Sequence, residues 1–200
     1  LRCTDEHKLL VVPKRKYIHA AGEVEVVAGD VEEGDQLLTP ERLPGGEKHM
    51  DAELAWLLGV FVADGWVEHS DGVACPRRFA IAGKDGHPKE AQKRRVQAIA
   101  EREGWNFAWS ERYIRVYPGE AWMTLLVSCG RGALNKHLPF DRIPFAEFNE
   151  ATVISVLSGL AADASTTGKS DTLIYRTISP TLALQIRVLY RMLGQRVNIK

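Results

Sequence analysis

The sequence predicts an α+β chain in which a short all-β segment is followed by a domain built from two similar helix–strand–strand–helix–strand units. Three observations carry that reading. The character of the chain changes across "PERLPGGEKH" (40–49), where two prolines, two glycines and a cluster of charges mark a linker. An apolar segment, "LLGVFVADG" (57–65), is echoed by "LSGLAADAS" one hundred residues later (157–165). Each echo carries small residues on one helical face, Gly59 with Ala63 in the first and Ser158, Gly159 and Ala162 in the second. Small residues let two helix backbones approach closely, which would bring the C-termini of the two helices together.

The elements follow in order. Residues 1–38 read as short strands, "KLLVV", "YIHA", "VEVVAG" and "DQLLTP", separated by Gly, Pro and Asp-Glu clusters. Beyond the linker, helices are expected at 51–63, 87–103, 119–128, 148–162 and 180–193, and strands near 65–70, 77–83, 105–109, 112–117, 172–178 and 195–199. The last helix has the sharpest limits, with Ser179 as N-cap, Pro180 at the first position and Gly194 at the stop. "VQAIAEREG" (96–104) matches the "RVLYRMLG" that closes the second unit. Set against the first unit, the second is expected to be cut short at Lys200, before a further strand and helix.

Composition narrows the function. Basic and acidic residues balance at 26 each, but residues 151–200 carry 6 basic against 2 acidic, a modest local attraction for polyanions. The apolar run at 54–63 is too short to span a bilayer, so no membrane partner is expected. Cys3, Cys75 and Cys129 lack metal-binding spacing, and a reducing cytoplasm is the expected compartment.

The end of the first apolar helix raises the chemical question. Asp64 falls on its last turn, where a carboxylate opposes the helix dipole. Two acidic helix ends side by side would repel unless a cation lay between them. Paired carboxylates sharing Mg²⁺ suit phosphodiester hydrolysis, in which the metal activates water and stabilises the leaving oxygen.

With these residues in view, "LLGVFVADG" resembles the LAGLIDADG motif, and the chain resembles an intein carrying a LAGLIDADG homing endonuclease. The resemblance implies the pseudo-twofold LAGLIDADG fold over residues 46–200 and a fragment of an all-β, Hint-like splicing domain over 1–45. "LRCTDEHKLLVV" resembles the splicing block with a T-x-x-H signature, which implies that Thr4 and His7 assist the acyl shift. "VEEGDQLLTP" is similar to the block that follows it. "NKHLP" (135–139) resembles the endonuclease block with an active-site lysine, here Lys136. "TISPTLALQIRVLYRMLGQRVNI" resembles the block closing the second repeat. Two departures stand out. Neither an opening nucleophilic Cys or Ser nor a closing His-Asn is present, so splicing is not expected of these residues alone. Strict register also places Ala164 where the second catalytic acid stands, with Asp163 one residue early.

The strand "RYIRVYP" (112–118) sets Tyr113, Arg115 and Tyr117 on one face and Ile114 and Val116 on the other. A basic, aromatic face opposite an apolar one suits a ribbon laid in a major groove. Arg77 and Arg176 are expected to join it, Arg78 to point away, and "KRR" (93–95) to lie on a solvated helix face.

The expected function is site-specific cleavage of double-stranded DNA within an intein, by a monomer using Mg²⁺. Asp64, Asp163 and Lys136 are the catalytic set, with Asp64 and Asp163 also the metal ligands. Host-protein exteins are the implied covalent partners. The alternatives are a DNA-binding domain that has lost cleavage, for which Ala164 argues, and protein splicing once the missing blocks are supplied.

Overall fold

A computed structural model describes residues 4–12, 24–37, 40–68, 76–167 and 170–198. The chain divides into two compact units, Leu1–Glu41 and Arg42–Lys200. In the first, β1 (Lys8–Val12) pairs antiparallel with β2 (Val24–Val27) on one side and β3 (Gln36–Leu37) on the other. The expected strand "YIHA" lies outside the described residues, as do Cys3 and Cys75.

The second unit starts inside the expected linker. Arg42–His49 does not hang free: the Leu43 amide donates to the Arg191 carbonyl, the Gly46 amide to that of Phe148, and Lys48 forms a bridge with Phe148. Gly46 is required there because a Cβ would stand 2.1 Å from the Glu147 carbonyl oxygen.

Helix α1 (Ala52–Asp64) starts on Asp51, whose Oδ1 accepts from the amides of Glu53 and Leu54 at 3.0 Å each, satisfying two of the donors a helix leaves open. Every residue from Ala55 to Val62 is buried, as a helix apolar all round demands. It feeds directly into a four-stranded antiparallel sheet of order β4–β5–β7–β6, made of β4 (Gly65–Glu68), β5 (Arg78–Ala82), β6 (Asn106–Trp109) and β7 (Tyr113–Tyr117). Phe79, Ile81, Ile114 and Val116 point from this sheet into the core. Helix α2 (Glu90–Arg102) covers that side with Val96, Ile99 and Ala100.

Two short helices, α3 (Glu120–Val127) and α4 (Gly132–Asn135), lead to the second unit of the repeat. There α5 (Glu150–Leu160) runs into a 3₁₀ turn (Ala161–Asp163), the hairpin β8 (Ser165–Thr167) and β9 (Ser170–Ile174), and α6 (Pro180–Met192). Ser179 caps α6, its Oγ accepting from the Leu182 amide at 3.2 Å.

The departures from expectation are local. The small α4 and the strand β8 were not anticipated, and both are only three or four residues long. The strand expected at 172–178 stops at Ile174, and none forms over 195–198. Among the described residues no helix is long and apolar enough to cross a membrane.

Candidate functional site

The site is set by one crossing point. Gly59 of α1 meets Gly159 of α5, and a Cβ on Gly59 would lie 2.2 Å from the Val156 carbonyl oxygen and 2.9 Å from the Gly159 Cα. The reverse holds on the other side, where a Cβ on Gly159 would lie 2.1 Å from the Trp56 carbonyl oxygen. With nothing between the two backbones, both helix ends leave the crossing at short range. Asp64 ends α1, and Asp163 ends the 3₁₀ turn after α5.

The two carboxylates converge on one ammonium. Lys89 Nζ lies 2.7 Å from Asp64 Oδ2 and 2.8 Å from Asp163 Oδ1. Burial pulls this lysine's pKa down, but the bonds to Asp163 and Asp64 outweigh it and hold the ammonium above its ordinary value. Asp64 has no basic neighbour in sequence, so Lys89, twenty-five residues on, escaped the sequence reading. One signal was available. Lys89 is the N-cap of α2 and makes no side-chain capping bond, at a position where the dipole disfavours a cation.

Lys136 approaches from the other side. Its Nζ donates to the carbonyls of Gly65 at 2.6 Å and Phe61 at 3.1 Å. It thus closes the C-terminal end of α1, where carbonyls lack partners and the dipole is negative. Burial pushes its pKa down from the usual lysine value, and the charges of Asp64 and Asp163 act in the opposite sense. The backbone around it is held by the second repeat: Ser179 Oγ donates to the Lys136 carbonyl at 2.6 Å, and the Gln185 amide bonds both the N–H and the C=O of Leu138. A cavity of about 660 Å³ opens beside these groups, lined by Asp64, Asp163, Lys136, Tyr175 and Arg176.

These residues fit a divalent cation. Among the described residues no group of three or more His, Cys, Asp and Glu side chains forms a protein-only cage. Mg²⁺ does not need one, since it is usually held by one or two carboxylates plus water and substrate phosphate. Asp64 and Asp163 supply two hard oxygen donors aimed at a locus that already accommodates a positive charge.

Asp163 reaches that locus for a definite reason. An α-helix would turn each residue by about 100° and a one-residue offset would swing the carboxylate away. Instead the α5 ladder tightens to 3₁₀ over Ala161–Asp163, with its larger rotation per residue. Ala164 then has extended backbone (φ −82°, ψ 159°), as Gly65 does after Asp64 (φ −96°, ψ 164°). The spatial counterpart of Asp64 is therefore Asp163, and that of Gly65 is Ala164, which corrects the strict register read from sequence.

The outward face of the sheet carries Tyr113, Arg115 and Tyr117, with Ile114 and Val116 buried behind. Trp66 meets Tyr113 edge-on at 5.8 Å, and the Arg115 guanidinium lies over the Tyr113 ring at 4.7 Å. The arginine that joins them is Arg78. Ala80 pairs with Arg115 across the strands, so Arg78, two residues away, shares its face. Arg77 precedes β5 and is exposed; the strand parity was read one residue out of step. Arg115 is not free either. Glu68 bonds its Nε through both carboxylate oxygens at 2.9 Å, and Arg78 Nε stands 2.7 Å from Glu68 Oε2 as an ion pair without a well-directed hydrogen bond. Arg176 lies past the end of β9, exposed on the rim of the cavity.

The "KRR" run also divides. Arg94 and Arg95 are exposed, but Lys93 is 0% exposed. Its Nζ is tied to Asp85 and to the Ser110 carbonyl, each at 2.6 Å, and sits 4.0 Å from the centre of the Trp109 ring. It locks α2 to the β6–β7 hairpin. In the first unit, Thr4 Oγ1 and His7 Nδ1 come together at 3.1 Å in a tight turn.

No protein-family model matches the chain, and no curated protein matches it. Solved structures do. The chain is similar to an I-DmoI variant bound to its target DNA nicked in the coding strand with Mn present, at 17% identity and a TM-score of 0.50 over 72% of this chain and 78% of that one. It is equally similar to mesophilic variants of the homing endonuclease I-DmoI (17%, TM-score 0.50, 72% and 78%). The complex of I-DmoI with DNA and Mn matches at 17% and 0.50 over 72% and 79%. The second unit thus has the LAGLIDADG homing-endonuclease fold.

Proposed function

We propose that the chain is a divalent-metal-dependent endonuclease acting on a specific double-stranded DNA site, within an intein. The observation that carries this is the convergence of Asp64 and Asp163, from two helix ends brought together by bare glycine backbone, on one cation locus. The fold shared with a protein solved in complex with DNA and Mn supports it.

In this reading Mg²⁺, when bound, supplies an activated water and neutralises charge on the leaving oxygen. The chain's own residues do the rest. Asp64 and Asp163 present their carboxylates toward the two strands' phosphates. Lys136 holds the end of α1 in place and sets positive charge beside Asp64. Tyr113, Arg115 and Tyr117, joined by Arg78, offer the DNA a face that mixes aromatic rings with guanidinium groups. The Thr4–His7 pair favours a second role for the first unit, as part of a splicing domain whose exteins are the flanking host protein.

The test is cleavage of supercoiled plasmid carrying the target, with Mg²⁺ or Mn²⁺. Linear product from the natural sequence, lost in Asp64→Asn while DNA binding persists, is the expected result. Undiminished cleavage by that variant would remove Asp64 from the chemistry. Binding without cleavage by the natural sequence would favour the DNA-binding alternative.

A further inference from the structure

Lys89 bonds both carboxylates at the helix-pair mouth, and neither the motif nor the proposed chemistry uses it. Its ammonium makes one short bond to each carboxylate. A divalent cation held by the same pair needs oxygens at about 2.0–2.1 Å for Mg²⁺, so ammonium and metal are mutually exclusive at this locus. Its placement is also costly locally. It takes the N-cap of α2 without capping it, and a cation there opposes the dipole. Without Lys89, Asp64 and Asp163 would face each other across the locus, and the nearby Lys136 ammonium is committed to two carbonyls.

We propose that Lys89 is a resident counter-ion, a positioning residue that holds the two carboxylates at one locus in the metal-free protein and yields the locus to a divalent cation. The proposal rests on the metal-dependent reading above and adds a competition to it. Apparent metal affinity is lowered by the fraction of molecules in which Lys89 has swung clear. If that fraction is a tenth or less, removing the ammonium tightens metal binding by about tenfold or more.

The test uses the full chain without DNA. Mn²⁺ is titrated calorimetrically into the natural sequence, Lys89→Met, Lys89→Gln and Asp64→Asn, and thermal unfolding is followed with and without metal. Both Lys89 variants should bind Mn²⁺ about tenfold or more tightly, melt lower than the natural protein in chelator, and recover when metal is added. Asp64→Asn should lose binding. In the natural protein, Mg²⁺ should also move the ¹⁵N-labelled Lys89 side-chain ammonium resonance, which reads the exchange without any substitution. Mn²⁺ binding that depends on Asp64 but is unchanged in the Lys89 variants, with an unmoved Lys89 resonance, would overturn the proposal and leave the metal site standing. Absence of metal binding in every form, Lys89→Met included, would overturn the proposal, while the plasmid cleavage assay with Mg²⁺ or Mn²⁺ decides the metal-dependent reading separately.

Discussion

Replacing Gly59 with alanine tests the crossing on which the whole site depends. At an ordinary helical position the change should stabilise by up to about 1 kcal/mol, because alanine is the better helix former. Here the new Cβ would stand 2.2 Å from the Val156 carbonyl oxygen and 2.8 Å from the Leu160 nitrogen. Both are backbone atoms and cannot rotate aside, so the helices must separate by about 1 Å to restore van der Waals contact. Overpacking of this kind costs about 1–3 kcal/mol, and the rigid neighbours place it at or above the upper end. The propensity gain offsets only part of that, leaving a net loss of about 2 kcal/mol or more. Urea denaturation of the two forms measures it, and Gly159→Ala should behave alike because its Cβ would meet Trp56 in the same way. The site should suffer too, since separating the helices moves Asp64 away from Asp163. A stability equal to or above that of the natural protein, in either variant, would refute the close crossing.

Three further outcomes follow from the same geometry. Ala164→Asp should not raise double-strand cleavage, whereas Asp163→Asn should reduce it to nicking or less, with nicked and linear plasmid as the readout. Linearisation improved by Ala164→Asp would restore the strict register. Lys136→Met should lose cleavage and also flatten a rise in stability on the alkaline side. The depressed pKa of Lys136 means that, as pH climbs toward 10.5, the unfolded chain still holds a proton that the folded chain has released, so folding gains over that window; denaturation curves in steps up to that pH would show it. Glu68→Gln should free Arg115 and Arg78, tightening DNA binding with little regard to sequence and steepening its salt dependence by about one ion; binding unchanged in both respects would place this face away from DNA.

Much of this was legible because it is written in local patterns. The apolar density of α1 demanded burial on every side, and Ser179-Pro180 marked the start of α6 to the residue. Gly59 and Gly159 stood out as small residues in repeated segments, and the contact between them follows from that spacing. The missed features are those that sequence distance hides. Lys89 and Asp64 meet across twenty-five residues, Lys89 and Asp163 across seventy-four. Lys93 looks like a member of a basic run, yet it is buried because Asp85 and two hairpin carbonyls accept its protons. Arg78 and Arg77 were exchanged because strand parity needs a known starting residue, and β5 starts at Arg78.

The second motif shows how a fold can absorb a missing residue without losing its chemistry. Asp64 follows Gly59 by five positions, and Asp163 follows Gly159 by only four. A continued α-helix would carry that deficit into the carboxylate's direction, rotating it by about 100°. The fault is taken up by overwinding, in the turn between Leu160 and Ala164, after the glycine contact is complete. The Ala164 amide then bonds the Ala161 carbonyl at 3.0 Å, which closes the tightened turn before β8 begins. A 3₁₀ turn also rises further per residue, about 2.0 Å against 1.5 Å, so three such residues recover the roughly 1.5 Å of missing length and about 60° of the missing rotation. The reach of Asp163 is thereby restored and more than half of its direction, and Lys89 bonds the two carboxylates at nearly equal distances. The small side chains of Ala161, Ala162 and Ala164 suit the tighter winding, in which residues three apart eclipse. A bulky residue at Ala161 would crowd Ala164 and push the turn back toward α, carrying Asp163 out of reach while the helix crossing stayed intact.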